Sequence, residues 1–440
     1  MSLRIFISHG AGRDADVRAV LENIVPRLTA SGYDVFIDVE KLRAGDEWHE
    51  VLYREMYRCD AAIVLLGPET VAAPRWVRRE AEVLVGRFKV GGLAAVLPGI
   101  VGGVSTAEAR KQGFDALLSI QAAIWQSPDD ERPAEADTLT VADRIMAEFS
   151  PQDLRSANTG ARDWALRVAR YLESARRRNP GSLLDAARRL GLTDEELMHV
   201  SARIGAELFL SHRMLSGGIR EELPTAVEWL KPALGADQLR QLSAEILPSW
   251  VDQESARRFL PAANAVPEPD AGSPVLVFNA YEEWTVEQYV RRAVCNAPDT
   301  YSFGALERGL PDDDASPAEA LEAACRTALR QVFRVPPRMP LNSRTVRPKN
   351  GTFSYLVLSA ADHSVEDLAA VTRSLRDDFP WLIVVVLTGG AEPGRVAGIA
   401  DTVVVVPPIT EETELAAYQL KQRLDAVVQD SGTFPLSEVS

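Results

Sequence analysis

The sequence predicts three parts: a parallel α/β domain, an all-α middle stretch and a second parallel α/β domain. Three observations carry this. Residues 1–125 and 275–428 alternate short apolar runs with amphipathic helical stretches, the pattern of a buried parallel sheet with helices on both faces. Residues 153–260 instead hold successive helical stretches and no β-branched run. Seams at 126–138 (QSPDDERPAEADT) and 261–274 (PAANAVPEPDAGSP) read as linkers between the parts. The chain has 440 residues, and roughly 150 residues per domain also gives about three. The expected segments are 1–149, 150–265 and 270–440.

In the first part, strands are expected at Arg4–Ser8, Tyr33–Asp38, Ala61–Leu66 and Leu93–Pro98, with a weaker one at Leu118–Ile124. Between the first two, Val17, Val20, Leu21, Ile24, Val25 and Leu28 keep helical spacing. The middle part shows that spacing at Trp164, Leu166, Val168, Tyr171 and Leu172, then over Leu197–Leu215 and Ala226–Leu234; five or six helices are expected. In the third part, strands are expected at Val275–Asn279, Tyr355–Ser359, Leu382–Thr388 and Thr402–Val406. Helices are expected at Val286–Val294, Pro317–Val332, Ser364–Asp377 and Glu411–Val428. The acidic run 310–317 and the Pro-rich run 335–351 read as loops within it.

Composition narrows the function classes. Lys and Arg number 48 against 63 Asp and Glu, a formal net charge of −15, and phosphate-backbone binders are typically basic. Nucleic acid is therefore not an expected partner. Cys59, Cys295 and Cys325 lie far apart without a CxxC, which argues against a disulfide framework or structural zinc. The five histidines form no HExxH or His/Cys cluster, so no metal is expected. No apolar run reaches 18 residues and the chain opens without a basic leader, so no membrane partner and a cytoplasmic location are expected.

The first strand runs into a glycine-containing turn, IFISHGAGRDAD. Gly10, Gly12 and Ala15 fit a permissive dinucleotide fingerprint, with Asp38 ending the next strand where a ribose-binding acid sits. The plain alternative is a βα turn in which the glycines permit a tight bend and Asp14 or Asp16 caps the helix.

A longer pattern is more specific. Residues 6–9 read FISH, 32–38 GYDVFID, 42–48 LRAGDEW, 59–68 CDAAIVLLGP and 73–80 APRWVRRE. In order, spacing and residue type this region resembles a TIR domain over about residues 1–149. The resemblance implies an N-terminal flavodoxin-like domain with a parallel sheet. It implies a BB loop after the second strand, with Leu42, Arg43, Gly45, Asp46 and Trp48 as association residues. Trp76 and Glu80 match the family's Trp and Glu four residues apart. Ala73 and Val77 depart from the serine and cysteine often found at those positions.

Active members of the family cleave NAD+ at the nicotinamide–ribose bond, and some cyclise the product. That reaction builds an oxocarbenium-like ribose, which one carboxylate can stabilise. The leaving group is already cationic, so neither a general acid nor a cofactor is required; NAD+ enters as substrate. Glu80 is the expected carboxylate. Trp76, one helical turn earlier, can stack on a base or wall the pocket. Outside this pattern, a glutamate on a helix with Arg75, Arg78 and Arg79 reads as a solvated charge. Glu82, two residues on, faces another side. Ser8, His9, Arg13 and Asp38 are expected substrate contacts near the carboxyl ends of the strands, although His9 also reads as a plain turn residue. Phe36 is expected in the core.

The third part lacks GxxxxGK[ST]; its first strand leads into VLVFNAYEEWT, with no glycine or lysine. The order of parts is nonetheless similar to STAND-type P-loop proteins. Tyr355–Asp362 sits where an acidic metal-binding strand would lie, and 382–390 resembles the sensor strand. A degenerate P-loop domain or a generic Rossmann-like sensor domain is expected, with no ATP hydrolysis. The resemblances together imply a bacterial antiphage effector that is silent until its TIR domains self-associate. An unidentified trigger would act on residues 275–440. The rival expectation is a non-enzymatic TIR scaffold that recruits other TIR domains.

Overall fold

The computed structural model describes residues 3–10, 14–37, 51–52, 55–56, 58–89, 93–120, 138–148, 159–192, 206–219, 221–260, 274–306, 316–346, 348, 352–361, 363–391, 396, 398–400 and 403–430. Contacts divide the chain into two compact units, Met1–Ser216 with Thr225–Leu239, and Gly217–Pro224 with Arg240–Ser440.

The first unit is built on four parallel strands, β1 (Arg4–His9), β2 (Asp34–Ile37), β3 (Ala61–Leu66) and β4 (Ala95–Ile100), in the order β2-β1-β3-β4. Ile5 pairs with Val35 on one side and Ala61 on the other, which fixes the register. Successive side chains point to opposite faces, and the apolar residues separate accordingly. Phe6, Ala62, Val64 and Val96 join one core with Val77, Ala81 and Leu84 of the helix Arg75–Lys89. Ile5, Ile7, Ile63 and Leu65 join the other with Val17, Val20, Ile24 and Leu28 of α1 (Ala15–Ala30). Both faces being covered explains why these strands read as unbroken apolar runs.

Helix α1 starts at Asp14, whose side chain accepts from the amides of Asp16 and Val17. The glycine-containing turn thus ends in an N-cap, in line with the plain reading of that segment. Helices α2 (Pro68–Ala72) and α3 (Arg75–Lys89) follow β3. After β4 come α4 (Thr106–Ala109), a π-turn (Arg110–Phe114) and α5 (Asp115–Ile120). The weak strand expected at Leu118–Ile124 is corrected here: Leu118 to Ile120 are helical, and 121–124 lie outside the described residues. Phe114, Leu117 and Leu118 recur at helical spacing and bury together against α3's core. A short apolar run does not distinguish helix from strand by periodicity.

The same unit takes in α6 (Thr138–Glu148), α7 (Thr159–Arg178), α8 (Pro180–Arg189) and α9 (Ala206–Leu215). Leu208 and Phe209 of α9 pack on the core that α3 shares, and Arg176 of α7 pairs with the buried Glu207. His212 of α9 is buried. Burial drives its imidazole well below the ordinary histidine value, and the nearby Arg87 cation adds to that. A histidine in the unfolded chain takes up a proton near pH ~6.5 while the folded one stays neutral. Its contribution is therefore complete above that pH and is lost as pH falls, by about 1.4 kcal/mol per pH unit. His212→Leu is expected to flatten the stability slope below pH ~6.5, measured as the difference from wild type in urea unfolding at successive pH values.

The second unit holds α10 (Glu222–Glu228, of which residues up to Pro224 belong here), most of α11 (Ala236–Ile246) and α12 (Gln253–Arg257). Its sheet comprises β5 (Val275–Phe278), β6 (Tyr301–Ala305), β7 (Phe353–Ser359), β8 (Leu382–Leu387) and β9 (Val403–Val405), all parallel in the order β6-β7-β8-β5-β9. Helices α13 (Glu283–Ala293), α14 (Pro317–Phe333), α15 (Val365–Asp378) and α16 (Glu411–Asp430) complete it. β6 has no counterpart among the strands expected from sequence: YSFGA is an edge strand, short and mostly half-buried, so it lacks the apolar run that marks its neighbours. Among the described residues no helix is long and apolar enough to cross a membrane.

Candidate functional site

In the first sheet, β1 connects toward β2 on one side, while β3 connects toward β4 on the other. The strand order therefore reverses between β1 and β3, the place where open α/β sheets bind ligands beyond their carboxyl ends. Ser8 lies at that end of β1, on the same face as Phe6. Glu80 lies on α3, in the helix face made by Val77, Ala81 and Leu84.

The two side chains meet. Ser8 Oγ donates to Glu80 Oε2 at 2.5 Å, and the residues are 0% and 2% exposed. A carboxylate withdrawn from water costs several kcal/mol unless it is hydrogen-bonded or paired. Glu80 is therefore unlike an ordinary helix-surface charge. Glu82 is the contrast: exposed, it pairs with Arg78 across 3.8 Å. Trp76 is half-buried one turn before Glu80, and the Arg79 guanidinium carbon lies 5.7 Å from its ring centroid.

The other expected contacts divide. His9 follows Ser8 and points to the α1 face, where it lines a cavity with α1 residues. Its Nδ1 donates to Gly10 O at 2.9 Å. The structure thus joins Ser8 to Glu80 and sets His9 on the other side of the sheet. Arg13, Asp38, Leu42, Arg43, Gly45, Asp46 and Trp48 lie outside the described residues, as does Gly12 of the fingerprint. Phe36 stacks on Phe6 with centroids 5.6 Å apart, a core role.

Three features lie beyond what the sequence pattern shows. Arg87 is buried, seven residues beyond Glu80 on the same helix, and donates to the carbonyls of Met56 and Cys59 (3.1 Å to Cys59 O). It thereby fixes α3 against the segment that follows the expected BB loop. A charged residue on the apolar stripe of α3 is the one signal that could reveal it. Gly10 and Gly67 stand at the carboxyl ends of β1 and β3. A Cβ on Gly10 would collide with Thr70 Oγ1, and one on Gly67 with Asp14 Oδ2. Asp14 Oδ2 and Thr70 Oγ1 are buried with no hydrogen-bond partner among the described residues.

The second sheet has its own reversal of strand order, between β5 and β8. Here the chain fills the crevice itself. Gly390 N donates to Asn279 O at 2.9 Å and Thr388 N to Phe278 O at 2.9 Å, closing the two loops together. Helix α13 opens at Glu282 without a side-chain cap of its own. Glu414 of α16 supplies one: its carboxylate accepts from Tyr281 N at 3.0 Å, Glu282 N at 3.0 Å and Thr285 Oγ1 at 2.5 Å, and the residue is 6% exposed. A helix N-terminus after a first strand is where a bound phosphate would rest. In this domain an internal carboxylate holds that position. Asp362, the residue at the expected metal-binding strand, lies outside the described residues.

The family model described as TIR domain matches residues 5–140. The chain thus carries a TIR domain there, containing the four-stranded parallel sheet, followed by a helical stretch and a second parallel sheet. Comparison with curated proteins gives no match.

Proposed function

We propose that the TIR domain is an NAD+ glycohydrolase that releases nicotinamide and ADP-ribose, or a cyclic form of it, when copies associate. The observation that carries this reading is the buried Glu80 carboxylate held by Ser8 at the reversal point of the sheet, with Trp76 one turn away. The bond from ribose C1′ to the pyridinium nitrogen breaks, and its electron pair neutralises the nicotinamide ring. The ribose left behind is oxocarbenium-like, and the Glu80 carboxylate stabilises its charge. Water adds at C1′ and gives its proton to solvent, or a nucleophilic nitrogen of the adenine adds and closes a ring. Trp76 offers a face for one of the bases.

Ser8 acts through Glu80 by fixing the orientation of its carboxylate. A hydrogen bond to a charged group contributes about 1.5–3 kcal/mol. Ser8→Ala is therefore expected to lower kcat by roughly ten- to a hundredfold with KM little changed, read from initial rates of nicotinamide release.

Draining NAD+ suits a bacterial antiphage effector that stops the infected cell. We place its trigger on the unit holding the second sheet, with BB-loop contacts between TIR domains completing the active state. The second unit fits a sensor rather than an ATPase: Glu414 occupies the anion position and the sequence offers no phosphate loop. Chromatography of NAD+ incubated with the concentrated full-length protein tests the reaction. Nicotinamide formed in proportion to NAD+ lost supports hydrolysis or cyclisation, and the second product distinguishes them. Intact NAD+ at every protein concentration would leave the scaffold reading.

A further inference from the structure

A contiguous group of exposed apolar side chains marks an interaction surface, whereas single ones are ordinary. Among the described residues six large apolar side chains are exposed, and three of them gather at the start of α16. Leu415 and Tyr418 stand on that helix at 56% and 44% exposure. Tyr281, 50% exposed, is tied to it by the bond from its amide to Glu414. Trp284 of α13, half-buried, meets the Tyr418 ring edge-on with centroids 6.0 Å apart. We infer that this surface binds a second copy of the chain, with the two α16 helices antiparallel.

The helix itself supplies the complementarity. Residues three and four apart share a helix face, so Glu411, Leu415, Tyr418 and Gln422 form one line, all exposed. The opposite face, with Ala417, Leu420, Leu424 and Val427, is buried. On one flank of the line runs a second exposed row, Glu412, Gln419 and Arg423. Neither Glu412 nor Arg423 has an ion pair among the described residues. On the other flank Lys421 pairs with Asp425 at 2.8 Å and lies 5.9 Å from the Tyr418 ring centroid.

An antiparallel partner related by a twofold axis uses each of these features. With the axis between Ala416 and Ala417, Leu415 packs on Tyr418 of the second copy and Tyr418 on its Leu415. Glu411 then faces Gln422. The twofold keeps the two flanking rows on one side of the pair, so Glu412 of each copy meets Arg423 of the other. Such a contact is isologous and closes at two copies. A parallel pair instead brings Glu411 and Glu412 of both copies to one level, where like charges repel. Tyr and Trp anchor interfaces well, but so few anchors place the pair in the weak, transient class.

The test is sedimentation equilibrium of the full-length protein from micromolar to millimolar concentration. Wild type is expected to form dimers. Glu412→Arg and Arg423→Glu each turn both attractive contacts into repulsive ones, and each should weaken the dimer by about tenfold or more. The double variant should recover it, and so should an equimolar mixture of the two single variants, because opposite charges again face one another across the twofold. Tyr418→Ser should weaken the dimer by about tenfold or more. All three side chains are exposed, and unchanged melting temperatures check that the variants fold. Wild type that stays monomeric would overturn the pairing and leave the surface to a different protein. Dimers indifferent to the charge reversals would overturn it, as would reversals that neither the double variant nor the mixture rescues. The readout is mass alone, so its outcome is independent of the proposed NAD+ cleavage.

Discussion

Glu80→Gln is expected to lower nicotinamide release by about a hundred- to a thousandfold, the scale on which removing one group aimed at developing charge acts. Glutamine keeps an oxygen that can accept from Ser8, so the buried contact at 2.5 Å persists in kind and the fold survives. What disappears is the negative charge facing the ribose as it becomes cationic. NAD+ affinity should change far less than turnover, because the ground-state contacts remain. Initial rates at saturating NAD+, beside the melting temperature of the variant, measure both. Glu82→Gln is the control: that glutamate is exposed and paired with Arg78, so its loss should leave the rate unchanged.

Glu414→Ala is expected to open the first turn of α13. The substitution strands the amides of Tyr281 and Glu282 and the hydroxyl of Thr285, all of which Glu414 now satisfies. Buried orphaned donors cost about 1–3 kcal/mol each, partly offset as water enters. A net loss of about 2–4 kcal/mol is expected. It should appear as amide exchange at Tyr281 and Glu282 accelerated roughly thirtyfold or more, since each 1.4 kcal/mol is tenfold. The vacated N-terminus then becomes an anion site. Phosphate or formate should restore protection in Glu414→Ala in a saturable way and leave wild type unaffected. Glu414→Gln should sit between the two, because one of its terminal atoms is a donor facing another donor.

Strands and helices that bury both faces or one clear stripe are legible in the amino-acid sequence alone. Ala61–Leu66 and Leu382–Leu387 are unbroken apolar runs because helices cover them on both sides. The edge strand Tyr301–Ala305 is not legible, since its neighbours bury it only partly. Leu118–Ile120 mimics a strand because so few apolar residues show no period. At the candidate site, the TIR-like pattern points to Glu80. Only the fold shows that Ser8 reaches it and that Glu80 is buried while Glu82 is not. The partition of Ser8 and His9 onto opposite faces follows from strand geometry. It is hidden as long as the two residues are taken for one turn rather than for the last residues of β1. Glu414 lies more than 130 residues from the amides it caps, a distance no local sequence signal spans.

Leu208 and Phe209 cover the core next to the helix that carries Glu80. A chain cut at residue 149 would expose that core, so activity belongs in experiments on the full-length protein. The measurement that bears most directly on the central claim is nicotinamide release by that protein, across a range of concentrations and with a crowding agent, beside Glu80→Gln. Release that rises more steeply than in proportion to wild-type concentration, and that Glu80→Gln abolishes, is the predicted result. Equal release by both proteins, or none from wild type at any concentration, would contradict it.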